Sequence, residues 1–203
     1  MVPYLGYFAL WTALISVIMQ FLISFKKDSN KIIHYHNLSA LTLVFSTIFS
    51  FLVLTYSYII SDFSVLNVFQ NSHTTKPLLY KISAVWGNHE GSMILWLLVL
   101  VIFNYFIFRL VNKTNSIFIF KTLETQAFII IGFLLFTLVT SNPFHRLVPT
   151  PINGLGFNPI LQDPALAIHP PLLYIGYVGF SAAFSFSVAA LSTSDYKIPW
   201  HHY

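Results

Sequence analysis

Long apolar segments separated by short polar ones dominate the chain and predict transmembrane helices. Five segments qualify, because about 20 mostly apolar residues are needed to cross the ~30 Å hydrocarbon core of a bilayer. They are Tyr4–Phe25, Leu38–Ile60, Met93–Val111, Leu123–Thr140 and Leu172–Leu191. All are rich in Leu, Ile, Phe and Val without strict alternation, which favours helices over barrel strands. The pattern predicts an all-α, polytopic membrane bundle that forms a single domain over residues 1–203.

The connections between these segments are of two kinds. Those after the first and third segments, and the C-terminal tail, are short and polar. Residues 61–92 and 141–171 form longer connections that mix apolar and aromatic residues with Pro, Gly and Asn. Loops of this composition fold on the membrane surface more often than they extend freely into water. We therefore expect two structured loops.

Basic residues are distributed unevenly over these connections and predict the orientation of the chain. The two long loops hold only Lys76, Lys81 and Arg146. The short connections and the tail hold the other seven basic residues, which are Lys26, Lys27, Lys31, Arg109, Lys113, Lys121 and Lys197. The positive-inside rule places this larger group in the cytoplasm or matrix. The N-terminus and both long loops then face the periplasm or the intermembrane space.

The composition supports a membrane protein and excludes several other classes. Only 8% of the residues are charged and 56% are hydrophobic, whereas a soluble domain carries about 25% charged residues. The net charge of +4 does not indicate nucleic acid binding, because the basic residues flank apolar segments and form no stripe. The absence of cysteine excludes disulfides, a thiolate nucleophile and Cys-ligated metals. The first segment lacks a basic n-region and a cleavage site, so we expect it to be a retained helix.

The segment LQDPALAIHPPLLYIGYVGF contains the most distinctive candidate residue, His169, directly before Pro170 and Pro171. Proline is favoured in the first turn of a helix, because its missing N–H would be unpaired there. The two prolines therefore predict the start of the fifth helix, with His169 near the N-cap and pointing away from the helix. An imidazole held in this way is suited to binding haem iron. Helix capping alone is the alternative, and the pattern leaves both interpretations open.

The motif WGNHEGS, residues 86–92, precedes the third segment at the same membrane depth as His169. Its Trp86, His89 and Glu90 are candidate lining residues of a shared pocket. The alternative is a capping segment with an anchoring tryptophan, since an acidic residue is stabilised near a helix N-terminus. The adjacent His and Glu do not share a helix face, so a metal site of the HExxH type is not expected.

The motif SNPFHRL, residues 141–147, contains the only arginine of the two long loops, Arg146. A guanidinium group binds carboxylates in a bidentate manner, so Arg146 is a candidate partner for a porphyrin propionate. A lipid phosphate is the alternative partner. The motif therefore adds a candidate anion-binding residue on the same side of the membrane as His169.

The remaining polar and aromatic residues carry weaker signals. We expect most tryptophans and tyrosines near the segment ends, Tyr58 and Trp86 among them, to be interfacial anchors. We expect no histidine inside the five segments and no buried charge, since Glu124 lies at the inner end of the fourth segment and can reach the surface. We therefore expect neither an intramembrane haem held by two histidines within this chain nor an ion path. The histidines expected to be solvated are His34, His36, His73, His201 and His202.

Several stretches resemble the N-terminal portion of the CcmF family, the haem lyase subunit of the cytochrome c maturation system. The resemblance runs over nearly the whole chain, and the loop motifs are specific. The stretches are YIISDFSVLNVFQNS (58–72), AVWGNHEGSMILW (84–96), FLLFTLVTSNPF (133–144) and NPILQDPALAIHPPLLYIGYVGFSAAFSF (158–186).

The resemblance implies a role for His169 as the first of two outer-face histidines that ligate haem delivered by the haem chaperone CcmE. Trp86, His89, Glu90 and Arg146 would then line the haem pocket. In this family the haem vinyl groups are joined to the CxxCH thiols of apocytochrome c, which CcmH-type partners present in reduced form. Because those thiols are the nucleophiles, no catalytic residue is expected in this chain.

The resemblance also implies a partner polypeptide. Full family members continue through a tryptophan-rich outer segment, the second outer histidine and two transmembrane histidines that hold a permanent haem b. This chain ends at Tyr203, before these features. We therefore expect the product of a split gene or a truncated form that is inactive alone. The membrane would be the bacterial cytoplasmic membrane or the mitochondrial inner membrane.

Two alternative functions belong to other classes. The chain would be a non-catalytic scaffold if its outer loops only dock partners and the haem is bound elsewhere. It would be a permease or haem exporter if its spans lined a path for a substrate. The apparent lack of polar residues within the five segments argues against the permease.

Overall fold

The computed structural model describes residues 1–25, 30–110, 116–156 and 162–193. The helices in these ranges are α1 (Val2–Ser24), α2 (Asn30–Ile59), α3 (Leu66–Asn71), α4 (Leu78–Ser83), α5 (His89–Leu110), α6 (Ser116–Val139) and α7 (Pro164–Thr193). Five of them, α1, α2, α5, α6 and α7, are long and apolar enough to cross a membrane. Within the described residues the only extended pairing is an isolated bridge between Val65 and Arg146. The predicted all-α membrane bundle is thus confirmed.

All five membrane-length helices begin earlier than the apolar segments predict, and the largest differences are in α2, α6 and α7. Helix α2 begins at Asn30, α6 at Ser116 and α7 at Pro164. An apolar segment marks only the part of a helix that lies in hydrocarbon, whereas the backbone hydrogen bonds continue into the polar headgroup region. Some residues of the predicted connections lie outside the described ranges, namely Lys26, Lys27, Lys113, Lys197, His201 and His202.

The membrane-length helices pack around a shared apolar core. Helix α1 contacts α2 and α6, while α5 contacts α2, α6 and α7. The core includes the fully buried Leu10, Leu54, Leu97 and Ile130. Helix α7 lies at the edge of the bundle, since 22% of its most apolar window is buried, against 44% to 50% in the other four. Most of the surface of α7 is therefore open to lipid or to another protein.

The two long connections meet at one end of the bundle, together with the start of α1; we call this the loop end. The first connection contains α3 and α4. The Leu66 N–H donates to the His145 carbonyl at 2.8 Å. The Leu147 N–H donates to the Ser64 carbonyl, also at 2.8 Å. The expectation of structured loops is confirmed in the described residues of both connections.

Uncharged polar side chains are buried between the membrane-length helices, contrary to the expectation from the sequence. Asn104 of α5 donates to Gln20 Oε1 of α1 at 3.0 Å. Gln126 of α6 donates to Ser181 Oγ of α7 at 3.0 Å and accepts a bond from Ser185 at 2.8 Å. Pairing across helices offsets part of the cost of removing these groups from water, although Gln20 Nε2 and Asn104 Oδ1 have no partner among the described residues. A lack of polar residues in the spans can therefore no longer be used as an argument against a permease. The pairing of helices accounts for the polar side chains that are present.

His36 is buried, although we expected it to be solvated. Because α2 begins at Asn30, His36 lies in the second turn of the helix and faces the bundle. Its ring centroid lies 4.9 Å from that of Phe120, and its Nε2 lies 3.3 Å from Ser24 Oγ. His34, two positions earlier, is exposed as expected. The assumption that the spans contain no histidine is therefore wrong.

Candidate functional site

The N-terminus of α7 is capped by Asp163. Its Oδ1 accepts hydrogen bonds from the N–H groups of Ala165 at 2.8 Å and Leu166 at 3.1 Å. Pro164 follows as the first helical residue, where its missing N–H is not needed. His169 consequently lies in the second turn of the helix. The predictions that His169 occupies the N-cap and leaves helical geometry are wrong, because the Asp–Pro pair starts the helix earlier.

Pro170 and Pro171 lie inside α7 without ending it. A proline within a helix removes one backbone hydrogen bond, because it has no N–H to donate to the carbonyl four residues earlier. Pro171 therefore leaves the Ala167 carbonyl without its usual donor. The Trp86 Nε1–H donates to this carbonyl at 2.8 Å. A side chain from outside the helix thus replaces the missing backbone donor.

His169 faces away from the bundle. Residues two positions apart are separated by about 200° around a helix axis, so His169 lies on the side opposite Ala167, which is buried. His169 is exposed, and its ring has no hydrogen-bonding partner among the residues that the structure describes. Leu172 and Leu173, three and four positions later, are exposed on the same face. The imidazole is therefore accessible beside an apolar helix surface.

A cleft of about 340 Å³ lies between α7 and the segment that leads into α5; we call it the Trp86 cleft. Trp86 and His89 line one wall, and Pro170 and Tyr174 line the other. The remaining lining residues are Ser83, Gly87, Asn88, Ser92, Leu166 and Ala167. His169 does not line the cleft but immediately precedes Pro170. The structure thus brings Trp86 and His89 to the part of α7 that carries His169.

His89 is the first residue of α5 and contacts α6 as well as the cleft. Its Nε2 lies 2.9 Å from the Ser141 hydroxyl oxygen. Its ring meets the Phe136 ring edge-on, with 6.1 Å between centroids. His89 also borders an apolar groove of about 780 Å³ along α6. These contacts hold the imidazole of His89 in place in one wall of the Trp86 cleft.

Glu90 belongs to a polar network beside the cleft and is not one of the cleft's lining residues. Asn67 Nδ2 lies 3.0 Å from Glu90 Oε2 and 2.7 Å from Asn88 Oδ1, and donates to these oxygens. The Tyr58 hydroxyl donates to Asn67 Oδ1 at 2.6 Å and accepts a bond from Asn88 Nδ2 at 3.0 Å. The network joins α2, α3 and α5. Tyr58 is therefore a buried structural residue and not an interfacial anchor.

Asn88 caps helix α5. Its Oδ1 accepts a hydrogen bond from the Gly91 N–H at 2.9 Å, and its Nδ2 donates to the Ala84 carbonyl at 2.7 Å. Gly91 is required by space, because a Cβ at this position would collide with the Val85 carbonyl. The segment 86–92 therefore does cap the helix, and the capping side chain is Asn88, while Glu90 lies in the first turn.

Arg146 lies next to the start of α1, and it does not line the Trp86 cleft. Its guanidinium carbon lies 5.3 Å from the centroid of the Tyr4 ring, a cation–π arrangement. Its main chain pairs with Val65 of the other long connection. The structure therefore does not group Arg146 with Trp86 and His89.

Three residues that shape the site were missed in the sequence. Asp163 and Asn88 had a recognisable signal, because each is a favoured N-cap residue directly before a helix, and Asp163 is followed by proline. Ala167 had no such sequence signal, since it contributes to the site only through its backbone carbonyl. Within the described ranges no group of three or more His, Asp or Glu residues could hold a metal ion. His169 is thus an isolated imidazole.

The comparisons with known proteins agree with one another. The family model described as "Cytochrome C assembly protein" matches residues 86–202. The chain is 47% identical to the cytochrome c-type biogenesis protein CycK of Rhizobium meliloti, in an alignment that covers 98% of this chain and 30% of the relative. It is 44% identical to the cytochrome c-type biogenesis protein CcmF of Haemophilus influenzae over 74% of this chain and 24% of the relative.

A solved structure shares the fold. The cytochrome c heme lyase CcmF superposes with a TM-score of 0.84 at 22% sequence identity, over 98% of this chain and 32% of that one. The chain therefore spans about a third or less of the length of the relatives that it matches.

Proposed function

Because the chain belongs to the cytochrome c assembly protein family, we propose that it is part of a membrane haem lyase, which attaches haem covalently to apocytochrome c. The observation that carries the proposal is the exposed imidazole of His169 on helix α7, directly before Pro170, which lines the Trp86 cleft. Both walls of this cleft lie largely within the residues that the family model matches. Haem is the substrate of this reaction, and the chain helps to hold it.

In this proposal His169 is an axial ligand of the substrate haem iron. A neutral imidazole is a common haem ligand, and one free ring nitrogen suffices. The residues present fit a porphyrin, because the accessible ring of His169 is next to the exposed Leu172 and Leu173. An apolar surface beside an iron ligand allows the macrocycle to leave water.

The other candidate residues are assigned according to their positions. Trp86 and His89 form the wall of the cleft that faces Pro170, the neighbour of His169 in α7. Glu90 supports that wall indirectly, through its bond with Asn67. Arg146 is assigned to an anionic group at the loop end, either a haem propionate or a lipid phosphate.

The chain itself needs no nucleophile for thioether formation. The cysteine thiols of the CxxCH motif in apocytochrome c add to the haem vinyl groups, so the enzyme's task is to hold and orient the two reactants. The second axial ligand of the substrate haem and the ligands of the permanent haem b would come from the remaining polypeptide of the lyase.

The loop end would face the periplasm of a bacterium or the intermembrane space of a mitochondrion, and the chain would lie in the inner membrane. The support for this orientation is the excess of basic residues at the opposite ends of the helices, seven against three. In this orientation the haem chaperone CcmE, CcmH-type subunits and apocytochrome c would all reach the chain from the same side.

The test is to replace His169 with alanine in the complex purified from native membranes. We expect loss of the substrate haem signal in the absorption spectrum and loss of mature cytochrome c. His34→Ala is the matched control, since His34 is also an exposed helical histidine but lies at the opposite end of the bundle. Unchanged haem content and maturation in the His169 variant would instead support a non-catalytic scaffold.

A further inference from the structure

We propose that Trp86 is a positioning residue for His169. Its indole N–H takes the place of the backbone donor that Pro171 removes, and thereby fixes the turn of α7 that carries His169. The inference rests on the proposed role of His169 as a haem ligand. Nothing in the proposal requires Trp86 to touch haem.

The Ala167 carbonyl needs a donor from outside the helix. Pro171 has no N–H, and the ring of an interior proline presses against the carbonyl four residues earlier. Sharp kinks in helices commonly occur at such positions. Close to a membrane, a carbonyl without a partner is costly, because little water reaches it. The Trp86 Nε1–H, at 2.8 Å, satisfies this carbonyl and defines its direction.

Trp86 is itself held by the core of the bundle. Its ring stacks on Phe51 of α2, with centroids 6.5 Å apart and planes 13° apart. The preceding residues Ala84 and Val85 are fully buried, and Asn88 caps the next helix. The donor is therefore fixed to α2 and α5, so that its bond places α7 relative to those helices.

The start of α7 has little other packing against the bundle. In the described range 162–169, Ala167 is the only buried residue. His169 follows two positions later on the opposite side of the helix, so any rotation of the helix at Ala167 moves the imidazole directly. The position of His169 thus depends on the bond that Ala167 makes with Trp86.

The first test is Trp86→Phe, which keeps an aromatic ring and removes only the N–H. In the assembled complex we expect haem occupancy to fall by about tenfold or more, as when a partner that orients a metal ligand is lost. Adding Pro171→Ala should restore haem occupancy, because residue 171 regains the N–H that bonds to the Ala167 carbonyl. Pro170→Ala is the matched control. It supplies a donor to Leu166 instead and should not rescue the Trp86 variant.

The second test distinguishes positioning from general stability. In a His169→Gly background with added imidazole, the ligand is no longer attached to the helix. Trp86→Phe should then have no further effect on haem occupancy or on the absorption spectrum of the ligated haem. An equal loss with free imidazole, or equal rescue by Pro170→Ala and Pro171→Ala, would overturn the positioning role.

The two proposals can fail separately. If His169→Ala leaves the haem spectrum unchanged, the proposed ligand role of His169 fails. If His169→Ala abolishes the haem signal while Trp86→Phe leaves it intact, only the positioning role of Trp86 fails.

Discussion

Asn104 of α5 donates a hydrogen bond of 3.0 Å to Gln20 of α1 in the interior of the bundle. Both side chains are essentially inaccessible to solvent, at 1% and 0% exposure. An amide pair fixes how two helices are rotated against each other, because one amide displaced from its partner remains unsatisfied in an apolar medium. This bond therefore specifies the contact between α1 and α5 more sharply than apolar packing alone.

The stability losses from replacing the two members of this pair should not be additive. We expect Gln20→Leu or Asn104→Leu to lower the free energy of unfolding by about 1–2 kcal/mol. The double variant should lose clearly less than the sum of the single losses, since no amide is left unpaired. Thermal or denaturant unfolding of the purified protein in detergent would measure this coupling. Strict additivity of the losses would show that the pair does not act as a unit.

Gly91 should not tolerate a methyl group. Alanine ordinarily stabilises a helix relative to glycine by about 1 kcal/mol, but a Cβ at Gly91 would collide with the Val85 carbonyl. We expect Gly91→Ala to lower the unfolding temperature and to disturb the start of α5. The control is Gly132→Ala in α6, where the new Cβ meets no atom within 4 Å beyond its chain neighbours and the backbone of its own helix. Equal tolerance of both substitutions would contradict the close approach at Gly91.

Asn88 should be among the most sensitive positions at the loop end. Asn88→Ala removes the cap of α5 and the bonds to Tyr58 and Asn67. Loss of an N-cap alone costs about 1 kcal/mol, and each further hydrogen bond lost adds about 1 kcal/mol. Asn88→Ser restores a capping hydroxyl without restoring the network, so we expect an intermediate loss. Unfolding in detergent would rank the variants, and identical losses would exclude a separate capping contribution.

Stability should rise with pH above about pH 8 because of Lys76. Burial, and secondarily the positive charge of Lys81, lower the pKa of Lys76 from 10.5 to about 8. Between these values the unfolded chain holds a proton that the folded chain has released, so alkalinity favours folding across this window. Lys76→Met should remove this contribution. Unfolding temperatures measured from pH 7 to 10.5 would test it, and parallel curves for both proteins would refute it.

The architecture could be predicted from sequence because it follows from one strong physical constraint. A helix in hydrocarbon must be apolar over about 20 residues, and that pattern is visible without any tertiary knowledge. The true starts at Asn30 and Pro164 were missed, since the polar turns that extend a helix into the headgroup region carry no hydropathy signal. The wrong expectation that His36 is solvated followed from the same error.

The site could be predicted only in part. The sequence places Trp86 and His89 at the same end of the bundle as His169, and in the structure both line a cleft against α7. The predicted position of His169 at the start of α7 was wrong. Pro170 and Pro171 gave a more conspicuous signal for a helix start than Asp163 and Pro164 did. The bond from Trp86 to Ala167 could not be predicted, because it joins residues 81 positions apart and involves a carbonyl that any residue would supply.

The pairing of the two long connections can form only late in the synthesis of the chain. His73 and Asn153, whose side chains lie 3.0 Å apart, are separated by 80 positions in sequence. At typical translation rates Asn153 is made roughly 4–16 seconds after His73. During that interval the first connection exists without the residues that pair with it, because these have not been made. Helices α5 and α6 must therefore be made before the loop end can close, and until then α3 and α4 lack the contacts that the second connection supplies.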